Sequence, residues 1–138
     1  MAGSASDYLE NAIINSVLRG ATFPTPSNVY LSLHTADPTD ANDTSTEIVA
    51  PWYARQDTAK GGDLSAAWTA PADGVSRNAL AIQFPPVTGA TVTVTHVGLY
   101  DAPTGGNLLY HSALAPAKTL EADDVLTVAT NAFTIVTT

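Results

Sequence analysis

The chain has 138 residues, a length that suits one domain with its own buried core. It contains no cysteine, so a disulfide framework, a thiolate nucleophile and a cysteine zinc site are excluded. The net charge of −8 argues against binding to nucleic acid or to an anionic membrane surface, because both partners require a basic patch.

Charged residues are sparse. They make up 13% of the chain, compared with about 25% in an average soluble domain. This deficit predicts that part of the surface is buried in an assembly; the alternative is a soluble surface rich in Ala and Thr. No apolar run approaches the roughly 20 residues of a membrane helix, and the first residues lack the pattern of a secretory signal.

Residues 7–19 carry the one clear helix pattern. Asp7 is the expected N-cap, and Glu10 three positions later completes a capping box. Gly20 is the expected C-terminal stop. The apolar stripe of this helix consists of Leu9, Ile13, Ile14, Val17 and Leu18. We expect the stripe to pack on the sheet of the same chain, with docking on a neighbouring subunit as the alternative.

Strand patterns and turn signals alternate along the rest of the chain. Strands are predicted over residues 28–35, 53–56, 65–69, 75–84, 91–100, 107–114, 125–129 and 132–136. Short strands at this spacing predict a mainly β fold: an antiparallel β-sandwich of about seven to eight strands with one N-terminal α-helix. No linker or internal repeat divides the chain, so residues 1–138 are interpreted as a single domain.

The clearest of these signals is a hairpin over residues 91–114. Two runs rich in β-branched and aromatic residues flank a short loop that contains Gly105 and Gly106. Residues 36–46 are different, because they form a polar loop that is long for a plain connection. That length predicts a mobile segment or a contact arm.

The sequence has no pattern typical of an enzyme. Ser112 adjoins His111, but neighbouring strand residues point to opposite faces and cannot form a nucleophile and base pair. A Gly-x-Ser-x-Gly elbow is also missing. We therefore predict a protein without catalytic activity and without a cofactor.

A metal site is also not predicted. His34 precedes Asp37, Asp40 and Asp43, which are spaced every third residue. A calcium loop instead uses alternate positions followed by a glycine and a distal glutamate. We interpret these aspartates as turn formers, with a structural calcium ion as the alternative.

Aromatic residues and scarce cations supply the candidate contact residues. Trp52 and Trp68 are interpreted as anchors of a core or of an interface, because tryptophan offers a large contact area. Arg55 and Arg77 are two of only five basic residues, and we hypothesise that they pair with carboxylates at a subunit contact. The candidate interface residues are Asp37, Asp40, Trp52, Tyr53, Arg55 and Arg77.

Several segments together resemble a known group of proteins. They are YLENAIINSVLRG at 8–20, VYLSLHTADPTD at 29–40, YARQ at 53–56, GVSRN at 74–78, THVGLYD at 95–101 and TGGNLLYH at 104–111. In this order they resemble small virion structural proteins of tailed bacteriophages, which are described as tail-fibre-like proteins or as capsid decoration (cement) proteins. The chain departs from a long fibre shaft, because it is short and lacks repeats.

This resemblance implies a compact β-rich domain present in many copies. It also implies the principal hypothesis for function: a capsid decoration protein, often a trimer, that bridges major capsid proteins on the outer shell. The first alternative is a tail, tail-fibre or baseplate protein. The second is a carbohydrate-binding β-sandwich that uses exposed Trp or Tyr. The expected location is the virion, on the capsid surface or on the tail, and the expected partners are the major capsid protein and further copies of the chain.

Overall fold

The computed structural model describes residues 1–137. Its helices are α1 (Asp7–Arg19) and the short α2 (Leu64–Ala67), with a 3-10 turn at Thr44–Thr46. Its strands are β1 (Ala2–Ala5), β2 (Tyr30–His34), β3 (Gln56–Asp57), β4 (Val75–Arg77), β5 (Ile82–Gln83), β6 (Val92–Tyr100), β7 (Leu108–Leu120), β8 (Thr127–Val128) and β9 (Thr134–Val136). The predicted mainly β fold with one principal N-terminal helix is confirmed.

Seven strands form one curled sheet in the order β3-β2-β6-β7-β1-β9-β4, and β5 pairs with β8 in a second, small sheet. Among residues 1–137, every strand pairing is antiparallel except that of β1 with β9. Strand β1 was not predicted, because its sequence Ala-Gly-Ser-Ala has no apolar alternation. It fits between β7 and β9 because Gly3 has no side chain: a Cβ there would lie 2.7 Å from Ile135 Cδ1.

The predicted hairpin is confirmed as β6 and β7. His96 pairs with Ala113 and Leu99 pairs with Tyr110. Strand β7 continues past the predicted end to Leu120, across Pro116. The register shifts between Val94 and His96, opposite this proline, so its missing N–H falls at an irregularity of the ladder.

The predicted bounds of α1 are confirmed, but its predicted cap is wrong. Ser6 is the N-cap, and its hydroxyl accepts the Leu9 amide at 3.2 Å while Asp7 begins the helix. The Ser6 hydroxyl also donates to the Leu108 carbonyl, which ties the helix start to β7. Gly20 ends the helix as expected, in the left-handed conformation that glycine adopts without strain.

Other strand predictions need correction. The predicted strand 65–69 begins as helix α2, and the predicted strand 75–84 is divided into β4 and β5. Asn78 causes this division. Its side-chain Nδ2 donates to the Leu80 and Ala129 carbonyls, and its side-chain Oδ1 accepts the Phe133 backbone amide at 2.8 Å. The strands predicted at 53–56, 125–129 and 132–136 are present but shifted or shortened.

The core lies against both faces of β2. Leu31 and Leu33 are buried on one face. Ser32 and His34, on the other face, are also fully buried although their side chains are polar. The second face is covered because the 36–47 segment folds back over it: Thr35 donates its amide to Thr46, and Ile48 donates its amide to Leu33.

Candidate functional site

The six candidate interface residues occupy different environments. Asp37 and Asp40 have exposed carboxylates in the 36–46 loop, and Arg77 is exposed at the end of β4. Trp52 is buried, and its ring meets that of Tyr53 edge-on at 5.9 Å. The role of these residues in an interface stays a prediction, although the buried aromatic rings serve the core of this chain.

Arg55 is held entirely by its own chain. Its side chain is only 5% exposed, and Nε and Nη2 each donate to Glu47 at 2.8 Å. Nη1 donates to the carbonyls of Ala102 and Gly105 at 2.9 and 2.8 Å, at the tip of the β6–β7 hairpin. The guanidinium carbon also lies 3.6 Å from the centre of the Tyr100 ring. The carboxylate that pairs with Arg55 is therefore Glu47, whereas a subunit contact was hypothesised.

Burial and charge act against each other around Glu47. Burial alone would raise the pKa of this carboxyl, but hydrogen bonds from Arg55 and Tyr53 outweigh that effect and lower it. Burial, together with the nearby Glu47 charge, raises the pKa of Tyr53 and raises that of Tyr100 to about 12. At neutral pH the cluster is thus an ion pair with two neutral phenols. This arrangement fastens the hairpin tip to the sheet.

His34 is the centre of a second buried network. Its Nε2 lies 2.8 Å from the Ser32 hydroxyl and its Nδ1 lies 2.8 Å from the Thr46 hydroxyl. The two hydroxyls donate onward to the carbonyls of Gly98 and Asp43. Burial lowers the pKa of His34 to about 4. The proximity of Ser32 to this imidazole was not predicted, although residues two apart on one strand share a face and the spacing therefore carried a signal.

This serine and histidine pair has no route to a substrate. Both side chains are fully buried, and the Ser32 hydroxyl already donates to the Gly98 carbonyl. The Tyr100 ring covers the imidazole, with the ring centres 6.2 Å apart. The pair therefore has the geometry of a structural network.

The acidic loop is fastened to β7 by a histidine. Asp40 Oδ1 lies 2.6 Å from His111 Nε2, and Asp37 Oδ1 lies 3.6 Å from His111 Nδ1. Asp43 caps the 3-10 turn by accepting the Ser45 amide and hydroxyl, and these two hydrogen bonds lower the pKa of Asp43. The interpretation of the loop aspartates as turn formers fits these contacts. Within residues 1–137 no group of three or more His, Cys, Asp or Glu side chains is arranged to hold a metal ion.

The C-terminal half of α1 is an apolar surface without a cover. Leu9 is buried on the sheet, whereas Val17 is 74% exposed and Leu18 is 78% exposed. Ile14 is about half exposed beside them. The prediction that the whole stripe packs on the sheet of the same chain is therefore wrong for Ile14, Val17 and Leu18. We call Ile14, Val17 and Leu18 the helix patch.

The helix patch belongs to a stretch of the chain that has no acidic residue. All thirteen Asp and Glu residues lie outside residues 11–36, which contain one cation, Arg19. The rest of the chain is strongly acidic, since the total net charge is −8. No helix in the described part of the chain is long and apolar enough to cross a membrane.

The fold and these contacts define a mainly β structural domain whose polar clusters hold its own loops in place. A family model described as podophage GP4 fiber I protein gp80 matches residues 4–136. The chain therefore belongs to this family, and the resemblance to virion structural proteins of phages is confirmed. No curated protein matches the chain.

Proposed function

We propose that the chain is a structural subunit of a phage fibre. The family match over residues 4–136 carries this proposal, and it favours the tail-fibre alternative over the capsid decoration that was the principal hypothesis. These residues carry no internal repeat of the kind that builds a long shaft, so we assign the chain to a compact part of the fibre. Sugar binding gains no comparable support, because Trp52 is buried against Tyr53 and the partly buried Trp68 already donates its indole N–H to Thr58.

We further propose that the subunit works by binding protein and not by catalysis. The two buried polar networks, around His34 and around Arg55, are occupied by contacts within the chain. His34 is enclosed by two hydroxyls, and Arg55 donates four hydrogen bonds to Glu47 and to two carbonyls. Among residues 1–137, the helix patch groups three of the five exposed large hydrophobic side chains; the other two are Val49 and Val125.

The partner that this surface fits best is a second copy of the same chain. Two copies that each carry a net charge of −8 repel one another unless their contact avoids acidic groups. The helix patch lies within residues 11–36, one of the two longest stretches of the sequence that lack them, the other being residues 74–100. In a symmetric contact the same patch is used by each copy, and burying a large aliphatic side chain fully is worth about 1.5–3 kcal/mol.

Self-association can be tested with a matched pair of variants. Size-exclusion chromatography with light scattering should show an oligomer for the native chain. Val17→Asp should shift it to the monomer, because a carboxylate would be buried without a partner. Val49→Asp introduces the same change at a valine that is 98% exposed outside the helix, and it should keep the oligomer. A native chain that stays monomeric at high concentration contradicts this part of the proposal.

The location on the particle needs a separate experiment. Purified virions labelled with gold-coupled antibodies against the chain should carry the label on the fibres. Label spread over the head would instead support capsid decoration and overturn the fibre proposal.

A further inference from the structure

A cavity of about 270 Å³ opens between α1, the segment at residues 23–26 and the curled sheet. Its floor is formed by buried aliphatic side chains that include Leu9, Val29 and Leu99. None of these groups belongs to the Arg55 or His34 networks, and the helix patch does not line the cavity. It is therefore a separate feature of the molecule.

The walls of the cavity are aromatic. They include Tyr8, Phe23, Trp68 and Tyr110, all partly buried. The Trp68 ring also makes an edge-on contact with the Phe133 ring, and the two ring centres are 6.1 Å apart. Aromatic rings attract other rings through edge-to-face and offset contacts, so these walls favour a flat, ring-shaped ligand.

The cavity offers a ligand almost no polar partners. The Trp68 indole N–H already donates to the Thr58 hydroxyl at 3.3 Å. The Ser76 hydroxyl already donates to the Thr69 carbonyl at 2.8 Å. No charged residue lines the cavity. A charged group or a sugar would lose its hydration there without replacement, whereas a hydrophobic group would not.

The volume restricts the size of the ligand. An engineered apolar cavity of about 150 Å³ holds benzene, and pockets for drug-sized molecules begin at about 300 Å³. The observed volume lies between these values. We propose that this cavity binds one uncharged, ring-sized hydrophobic group, of about the size of an indole. The group is either a free small molecule or an aromatic side chain presented by another protein.

Indole is a suitable probe, and the two tryptophans are built-in reporters. In a titration followed by nitrogen–proton correlation spectra, the side-chain N–H signal of Trp68 should shift and saturate. The signal of Trp52, which does not line the cavity, should stay in place. Absence of a saturable shift at Trp68, or equal shifts at both tryptophans, overturns the proposal.

A second probe tests whether the ligand can be a side chain of another protein. N-acetyl-tryptophanamide carries the same ring on a backbone fragment. If it shifts Trp68 as indole does, the cavity accepts a side chain from another protein. If only indole binds, the ligand is a free small molecule, because backbone amides cannot enter.

Two variants connect binding to this cavity. Val29→Phe fills the floor and should weaken indole binding at least about ten-fold, whereas Val49→Phe makes the same change at an exposed position and should leave it unchanged. If Val29→Phe does not fold, Phe23→Ala removes a wall at a partly buried position and should weaken binding in the same way. Unchanged affinity in the folded cavity variant contradicts the assignment.

Discussion

His34 should make the stability of the protein depend on pH. Its pKa is about 4 in the folded chain and 6.5 in an unfolded one, because burial disfavours the charged imidazole. The unfolded chain therefore binds one proton more between these two pH values, and the folded state loses stability as the pH falls from 6.5 to about 4. The full loss is about 3 kcal/mol, at about 1.4 kcal/mol for each pH unit.

Most of this loss occurs at a pH above the lowered pKa of Glu47. Between about pH 7 and pH 5 the expected decrease in the free energy of unfolding is about 2 kcal/mol. Glu47 contributes only at lower pH, because its pKa lies below the usual 4.5 and its stabilising effect is lost as the pH falls through that lowered value. The window from pH 7 to pH 5 thus separates the effect of His34 from that of Glu47.

The assay is urea unfolding followed by tryptophan fluorescence at the two pH values. The native chain should lose about 2 kcal/mol, and His34→Gln should be less stable at neutral pH but nearly independent of pH in this window. His96→Gln is the control, because His96 lies on the neighbouring strand with part of its surface exposed, and it should retain the full loss. The reasoning is refuted if the native chain is equally stable at both pH values, or if His34→Gln shows the same loss.

Two further predictions concern the contacts that hold the loops and the helix. Arg55→Ala should lower the free energy of unfolding by about 3 kcal/mol, because it leaves Glu47 partly buried without its cation. The double variant with Glu47→Leu should recover part of this loss in urea unfolding, and no recovery would contradict the role of the pair. Ser6→Ala should cost about 1–2 kcal/mol by removing the helix cap, whereas Asp7→Ala should cost clearly less. Equal decreases in stability for the two variants in thermal melts would contradict the assignment of Ser6 as the helix cap.

The parts of the fold that the sequence predicts well have local signals. The start and end of α1 follow from a short polar run and from Gly20, although Ser6 and Asp7 are both good caps and only the structure distinguishes them. The β6–β7 hairpin follows from two β-rich runs and a glycine loop. These signals depend on neighbours within a few residues, so a single sequence contains them.

The parts that were missed depend on distant residues. Strand β1 has no strand-forming residues of its own and forms because β7 and β9 leave a space that Gly3 fits. Asn78 divides a predicted strand because it bonds groups at Ala129 and Phe133, about fifty residues away. The sequence alone could not separate core residues from interface residues, because a buried aromatic residue and an interface aromatic residue have the same appearance in a sequence.

The most direct test of the central claim is the number of copies in purified virions. Densitometry of stained gels, with each band intensity divided by the mass of its protein, gives the copy number. This chain should be present in far fewer copies than the major capsid protein, as expected for a subunit of a few fibres. A number of copies similar to that of the major capsid protein would contradict the fibre proposal and would restore capsid decoration as the function.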